Sequence, residues 1–136
     1  MGKQEDNLTG FKNLRILVID DSPIMRNLLL DILSDDGYQV DTAENGEIGL
    51  NQAIAQDYNA IISDVHMPLK NGLEVVRELM AIKPHSKIVL TDSFPDKLAA
   101  SATAEGALCC LQKPFDLDEL RKIISQICRV RRVSIE

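Results

Sequence analysis

Leu14-Arg15-Ile16-Leu17-Val18-Ile19-Asp20-Asp21-Ser22-Pro23 is the stretch from which the rest of the chain can be read. Its run of leucine and β-branched residues predicts a buried strand over Leu14–Ile19. Ser22-Pro23 predicts a helix start, with a side-chain cap followed by the residue best suited to the first helical position. Ile24, Leu28 and Ile32, with Leu29 and Leu33, then repeat at helical spacing as far as Gly37, which reads as the C-terminal stop. The result is a strand turning directly into a helix, with two acids at the turn.

The same unit recurs four more times. Tyr38–Ala43 reads as a strand, followed by a helix over Glu47–Gln56 with Leu50, Ala53 and Ile54 inward, although Gly46 and Gly49 lower its propensity. Asn59–Ser63 reads as a third strand, ending at Asp64. Met67-Pro68 and Asn71-Gly72 mark a loop before a helix over Leu73–Lys83, with Leu73, Val76, Leu79 and Met80 on one face and Pro84 as its stop. Lys87–Leu90 is a fourth strand, and Asp96–Glu105 an alanine-rich helix closed by Gly106. Leu108–Leu111 is a fifth strand, and Leu117, Leu120, Ile123, Ile124 and Ile127 define a fifth helix. Five such alternations predict right-handed βαβ units and a three-layer, doubly wound α/β domain around a five-stranded parallel sheet. Its expected span is 14–129. Residues 1–13 are polar and aperiodic and read as a leader; 130–136 read as a tail or the start of a linker. Arg129, Arg131 and Arg132 suit a helix C-terminus or such a linker, and a stand-alone domain and a truncated one look alike here.

A length of 136 residues suits one domain with a sizeable core. The net charge of −6 argues against nucleic-acid binding and suits a protein that gathers carboxylates around a cation. No apolar run is long enough to span a bilayer and the polar start is no signal peptide, so a cytoplasmic location is expected. The cysteines are Cys109, Cys110 and Cys128. Vicinal residues on a strand point to opposite faces, so a Cys109–Cys110 disulfide would be strained, and reduced, mostly buried thiols are expected.

In open parallel sheets, ligands bind beyond the carboxyl ends of the strands. The residues falling there are Asp20-Asp21, Asp64, Thr91 and Lys113-Pro114. Three carboxylates in one cleft repel each other, at about 3 kcal/mol per pair for ~6 Å and an effective dielectric of ~20. A divalent cation, Lys113 or protonation of one acid must offset this. Hard oxygen donors with room for water favour Mg²⁺, which commonly also takes a phosphoryl oxygen. One of these carboxylates can attack phosphorus to form an acyl phosphate, with Lys113 neutralising the phosphoryl oxygens and the Thr91 hydroxyl bonding one of them.

Ile19-Asp20-Asp21, Asp64-Val65-His66-Met67-Pro68 with Gly72, Thr91, and Lys113-Pro114-Phe115 together resemble the receiver domains of bacterial two-component response regulators, over about residues 13 to 129. The resemblance implies the strand order 2-1-3-4-5. It implies that Asp64 is the phosphoacceptor, fed by a sensor histidine kinase or a histidine phosphotransfer protein. Asp21, Asp64 and the backbone carbonyl of His66 would hold Mg²⁺ (or Mn²⁺), with Asp20 assisting through water. Lys113 would contact the phosphoryl group across a cis bond to Pro114, and Thr91 would be the switch hydroxyl. Such a domain is no enzyme beyond accepting and slowly losing its own phosphoryl group. It would control a downstream effector or fused output domain, bind neither nucleic acid nor membrane itself, and dimerise, if at all, on phosphorylation. His66 and Ser93 occupy positions that tune dephosphorylation; a lone loop histidine is ordinarily neither metal ligand nor phosphohistidine.

Two residues depart from the family pattern. Asp92 stands where a small residue is usual and would repel phosphate if buried and ionised. Cys110 replaces the strand-five aromatic, so an aromatic rotamer cannot report the Thr91 movement. A hydrolase of the aspartyl-phosphate type would require an Asp at position 66, which is His. A flavin site would require aromatics that the chain lacks. The remaining alternative is a phosphate-independent interaction module of the same fold, which intact Asp20, Asp21, Asp64, Thr91 and Lys113 oppose.

Overall fold

The computed structural model describes residues 14–94 and 96–135, so the expected leader lies outside the described residues. The elements run β1 (Arg15–Ile19), α1 (Pro23–Asp35), β2 (Gln39–Ala43), α2 (Gly46–Ala55), β3 (Ala60–Asp64), α3 (Gly72–Ile82), β4 (Ile88–Asp92), α4 (Lys97–Ala104), β5 (Cys109–Gln112) and α5 (Leu117–Ile135). The strands form one parallel sheet in the order β2-β1-β3-β4-β5. This is the doubly wound order expected from the resemblance.

The period-2 geometry of a strand sorts the core into two layers. Ile16 and Val18 of β1, Ile62 of β3 and Val89 of β4 pack with Leu29 and Leu33 of α1 and with Leu120 and Ile124 of α5. Leu17 and Ile19, Ile61, and Ile88 and Leu90 face the other way, onto Leu50 of α2, Val76 and Leu79 of α3 and Ala102 of α4. Strands covered on both faces must be apolar in both parities, which is why β1, β3 and β4 read as continuous apolar runs.

Each helix start carries its own signal. The Ser22 hydroxyl accepts from Met25 N at 3.2 Å, and Asn45 accepts from Ile48 N at 2.8 Å. Asn71 and Glu74 cap one another's backbone N–H in a reciprocal box at 2.8 and 2.9 Å. Gly37 takes φ +99° just past the Asp36 cap of α1, a conformation that favours glycine.

Packing selects among the apolar positions of each helix, and against expectation it leaves Ile54 outside. Ile24 is 81% exposed and Leu28 is 37% exposed; the inward stripe of α1 is Met25, Leu29, Ile32 and Leu33. Ile54 of α2 also points outward. A helix with more apolar positions than one face can bury offers several stripes, and only packing selects among them. The helix of α5 continues past Arg129 to Ile135.

Gly49, read as a weakness of α2, is instead a packing requirement. A Cβ there would overlap the Ile19 side chain, the last residue of β1. In an exposed helix, Gly→Ala gains about 1 kcal/mol. Here Gly49→Ala is expected to cost about 1–3 kcal/mol through overpacking, read as a lower denaturant midpoint with an unchanged m-value.

Candidate functional site

Parallel pairing brings the predicted residues to one edge of the sheet. Ile19 pairs with Ser63, so Asp20 follows β1 beside the end of β3. Asp64 pairs with Thr91, and Thr91 with Leu111, two residues before Lys113. Val65 N donates to Thr91 O at 2.9 Å just beyond β3. The structure therefore brings Asp20, Asp21, Asp64, Thr91 and Lys113 together, although Lys113 and Asp20 are 93 residues apart in sequence.

Asp20, Asp64 and Thr91 are buried, and Asp21 is exposed. Carboxyl oxygens of Asp20, Asp21 and Asp64 lie within 4.8 Å of one another. Lys113 Nζ donates to Asp20 Oδ2 at 2.8 Å and lies 3.5 Å from Asp64 Oδ2. Asp20 is held further: its Oδ1 accepts from Ser22 N at 2.9 Å, and its carbonyl accepts from Arg26 Nη1 at 2.8 Å. The roles of Ser22 N and Arg26 in fixing Asp20 were not visible in the sequence, where Ser22 signalled only a helix cap.

The electrostatics follow from this crowding. Burial pushes the Asp64 carboxyl up to about 6; Lys113 pulls it down, and Asp20 and Asp21 push it further up. Burial alone would lower the Lys113 ammonium, but its hydrogen bond and charge contact with Asp20, with Asp64 adding, raise it overall. One ammonium thus faces three acids, and burial adds to this at Asp64. An all-oxygen donor set short of positive charge fits a hard divalent cation.

The end of β3 is also braced from below. Gly72 N donates to Val65 O at 2.6 Å. A Cβ at Gly72 would lie 2.8 Å from Val65 Cα and 2.9 Å from Asp64 O, so the first turn of α3 rests directly on the Asp64 peptide. The Lys113–Pro114 peptide is cis.

Asp92 is buried, and its side chain does not point to water. Its Oδ1 accepts from Phe94 N at 3.1 Å, and its main-chain carbonyl accepts from Lys113 N at 2.7 Å. His66 is half-exposed, with Nε2 3.5 Å from Asp92 Oδ2 and 3.6 Å from Asp96 Oδ2. Sequence reasoning treated Asp92 as a departure, Asp96 as a helix start and His66 as isolated; the structure groups them. Ser93 is exposed.

Cys109 packs with the α1–α5 layer and Cys110 with the opposite layer, as alternation requires. None of the three cysteines forms a disulfide. Burial pushes the Cys110 thiol up to about 11, with the charges of Asp92, Cys109 and Asp64 adding. The thiolate is the reactive form, so at pH 8 Cys110 is expected to alkylate at least about tenfold more slowly than a free thiol, as measured by peptide mass after timed quenching.

A depression of about 280 Å³ lined by Ala53, Tyr58, Lys83 and His85 lies at the opposite end of the domain, below the amino ends of the strands. It contains none of the strand-end acids.

Comparison with known proteins agrees with this geometry. A response regulator receiver protein of Anaeromyxobacter sp. is 38% identical over 101 residues, covering 74% of this chain and 42% of that protein. The chain therefore spans less than half of that curated relative. Chemotaxis protein CheY of Thermotoga maritima is 27% identical over 117 residues, 85% of this chain and 98% of that protein. The crystal structure of response regulator TrrA of Thermotoga maritima, in complex with Mg²⁺-BeF, aligns with a TM-score of 0.77 and 36% identity, over 84% of this chain and 98% of that one.

Fold and site together define a phosphoacceptor domain of two-component signalling. Residues 16–125 match the response regulator receiver domain family, and the chain belongs to it. Among the described residues no helix is long and apolar enough to cross a membrane.

Proposed function

We propose that Asp64 is the phosphoacceptor of this receiver. The observation that carries the assignment is its position: it is 8% exposed at the carboxyl end of β3, beside Asp20, Asp21 and Lys113. An Asp64 carboxylate oxygen forms the new O–P bond as the P–N bond to a phosphohistidine breaks, and the bonding pair leaves with the imidazole nitrogen. A sensor histidine kinase or a histidine phosphotransfer protein supplies that group.

Asp21, Asp64 and the His66 backbone carbonyl would hold Mg²⁺, with Asp20 acting through water and Mn²⁺ able to substitute. When bound, the cation supplies positive charge that neutralises carboxylate and phosphoryl oxygens. Lys113, already held by Asp20, offers its ammonium to the phosphoryl oxygens. The Thr91 hydroxyl, one strand over from Asp64, bonds a phosphoryl oxygen and draws the loop after β4 toward the site.

With Cys110 in place of an aromatic, the readout passes through that loop and the Asp92–Lys113 main-chain bond joining β4 to β5. The domain acts in the cytoplasm on an effector or a fused output domain, with dimerisation as an activated form, and its own chemistry is limited to gain and slow loss of the phosphoryl group. His66, Asp92, Ser93 and Cys110 set the rate and the switching.

Incubation with Mg²⁺ and a small acyl-phosphate donor, followed by intact-mass analysis, is expected to give one phosphoryl adduct that requires Mg²⁺. No adduct from any small donor or kinase would favour the phosphate-independent interaction module instead.

A further inference from the structure

Beside the acidic triad, a second group of side chains converges from two loops. His66 leaves the end of β3, Asp92 is the last residue of β4, and Asp96 is the N-cap of α4. His66 Nε2 lies 3.5 Å from Asp92 Oδ2 and 3.6 Å from Asp96 Oδ2, and one ligand atom of each of the three residues lies within 4.8 Å of the others. Acids near a histidine are common on protein surfaces and would by themselves mean little.

Asp92 makes this group different. Its side chain is only 1% exposed. Its Oδ1 accepts from Phe94 N at 3.1 Å, while the equally buried Oδ2 receives no hydrogen bond and is aimed at His66 and Asp96. Buried polar atoms are normally satisfied, and this one has no hydrogen bond, only the 3.5 Å charge contact with the half-exposed His66 imidazole. Asp96 divides its oxygens in the same way: Oδ1 accepts from Leu98 N at 2.9 Å, and Oδ2 turns to His66. In both acids a backbone N–H fixes one oxygen and orients the other, the outer-sphere arrangement that holds metal ligands in place.

We propose that His66 Nε2, Asp92 Oδ2 and Asp96 Oδ2 form a second divalent-cation site, of the Zn²⁺ class, separate from the all-oxygen triad. Tetrahedral Zn²⁺ with bonds of ~2.0–2.1 Å needs ligand atoms about 3.4 Å apart. The two distances from the imidazole are already close to this, and the two carboxylates, within 4.8 Å of each other, close the rest of the gap on ligation. One imidazole and two carboxylates leave a fourth position for water or a partner's side chain. The imidazole also decides the metal, since it suits Zn²⁺ and related transition ions, whereas Mg²⁺ takes oxygen ligands. Excess Mg²⁺ therefore fills the triad without competing here. A cation in this site joins the loop after β3 to the loop after β4, and so ties the segment following Thr91 to the segment following Asp64.

The test uses the full chain, stripped with chelator and kept in excess Mg²⁺, titrated with Zn²⁺ by calorimetry and with Co²⁺ by visible absorption. One Zn²⁺ per chain and a tetrahedral Co²⁺ spectrum are expected. His66→Gln and Asp96→Asn should each weaken Zn²⁺ binding by about tenfold or more, and Asp21→Asn and Cys110→Ser should leave it unchanged. His66 and Asp96 are exposed and Asn retains a capping oxygen, so both variants keep the fold, which far-UV circular dichroism verifies. Native-like affinity in both His66→Gln and Asp96→Asn would overturn the site, as would loss of binding in Asp21→Asn or Cys110→Ser, or no saturable binding to the native chain. None of these readings depends on whether Asp64 accepts phosphate.

Discussion

Asp64→Asn is expected to stabilise the metal-free domain at neutral pH by about 2–3 kcal/mol, the size of its pKa displacement from 3.8 to about 6. The carboxyl is harder to ionise in the folded chain than in the unfolded one. Between about pH 4 and 6 the folded state therefore binds more protons, and stability falls as pH rises through that window. Above it, the ionised acid remains a full burden. Asn removes the burden, so the advantage of the variant should shrink as pH falls from 6 toward 4. Mg²⁺ should stabilise the native chain at pH 7.5 and lose this effect at pH 5, where protons compete for Asp64. Urea midpoints of both chains, with and without Mg²⁺, across that pH range measure all of this. A variant no more stable than the native chain at pH 7.5 would mean that Asp64 is not crowded as described.

Lys113→Met should act in the opposite direction. The Lys113 side chain is 15% exposed and supplies the ammonium at the triad. Removing one partner of such a buried pair costs about 3 kcal/mol, because Asp20 Oδ2 loses its donor and Asp64 its nearby cation. Mg²⁺ should then bind more tightly, as it replaces the missing ammonium, and should restore part of the lost stability. Phosphoryl transfer should be slow, because the ammonium that meets the phosphoryl oxygens is gone. Calorimetric Mg²⁺ affinity together with denaturant midpoints separates this from simple loss of packing, which would weaken Mg²⁺ binding instead.

The fold was legible because local signals agreed along the chain. A strand that must be apolar on both faces, followed by Ser22-Pro23, has few other uses, and parallel βαβ winding then places Asp20, Asp64, Thr91 and Lys113 at one edge. What remained hidden depends on packing distance. Gly49 looked like a poor helix residue because nothing local reveals that Ile19 occupies the space of its missing side chain. Ile54 was read as inward, yet it is exposed, because α2 carries more apolar residues than one stripe can bury. The grouping of His66 with Asp92 and Asp96 was hidden for a related reason. Two loops far apart in sequence meet only because β3 and β4 are neighbours in the sheet, and each residue alone has an ordinary explanation.

The phosphoryl group should reside on Asp64. After reaction with Mg²⁺ and an acyl-phosphate donor, borohydride reduction converts an aspartyl phosphate to homoserine, which tandem mass spectrometry can place in the sequence. Homoserine is expected at position 64 and nowhere else. Homoserine at position 20 or 21, or a phosphoryl group retained on His66, would contradict it.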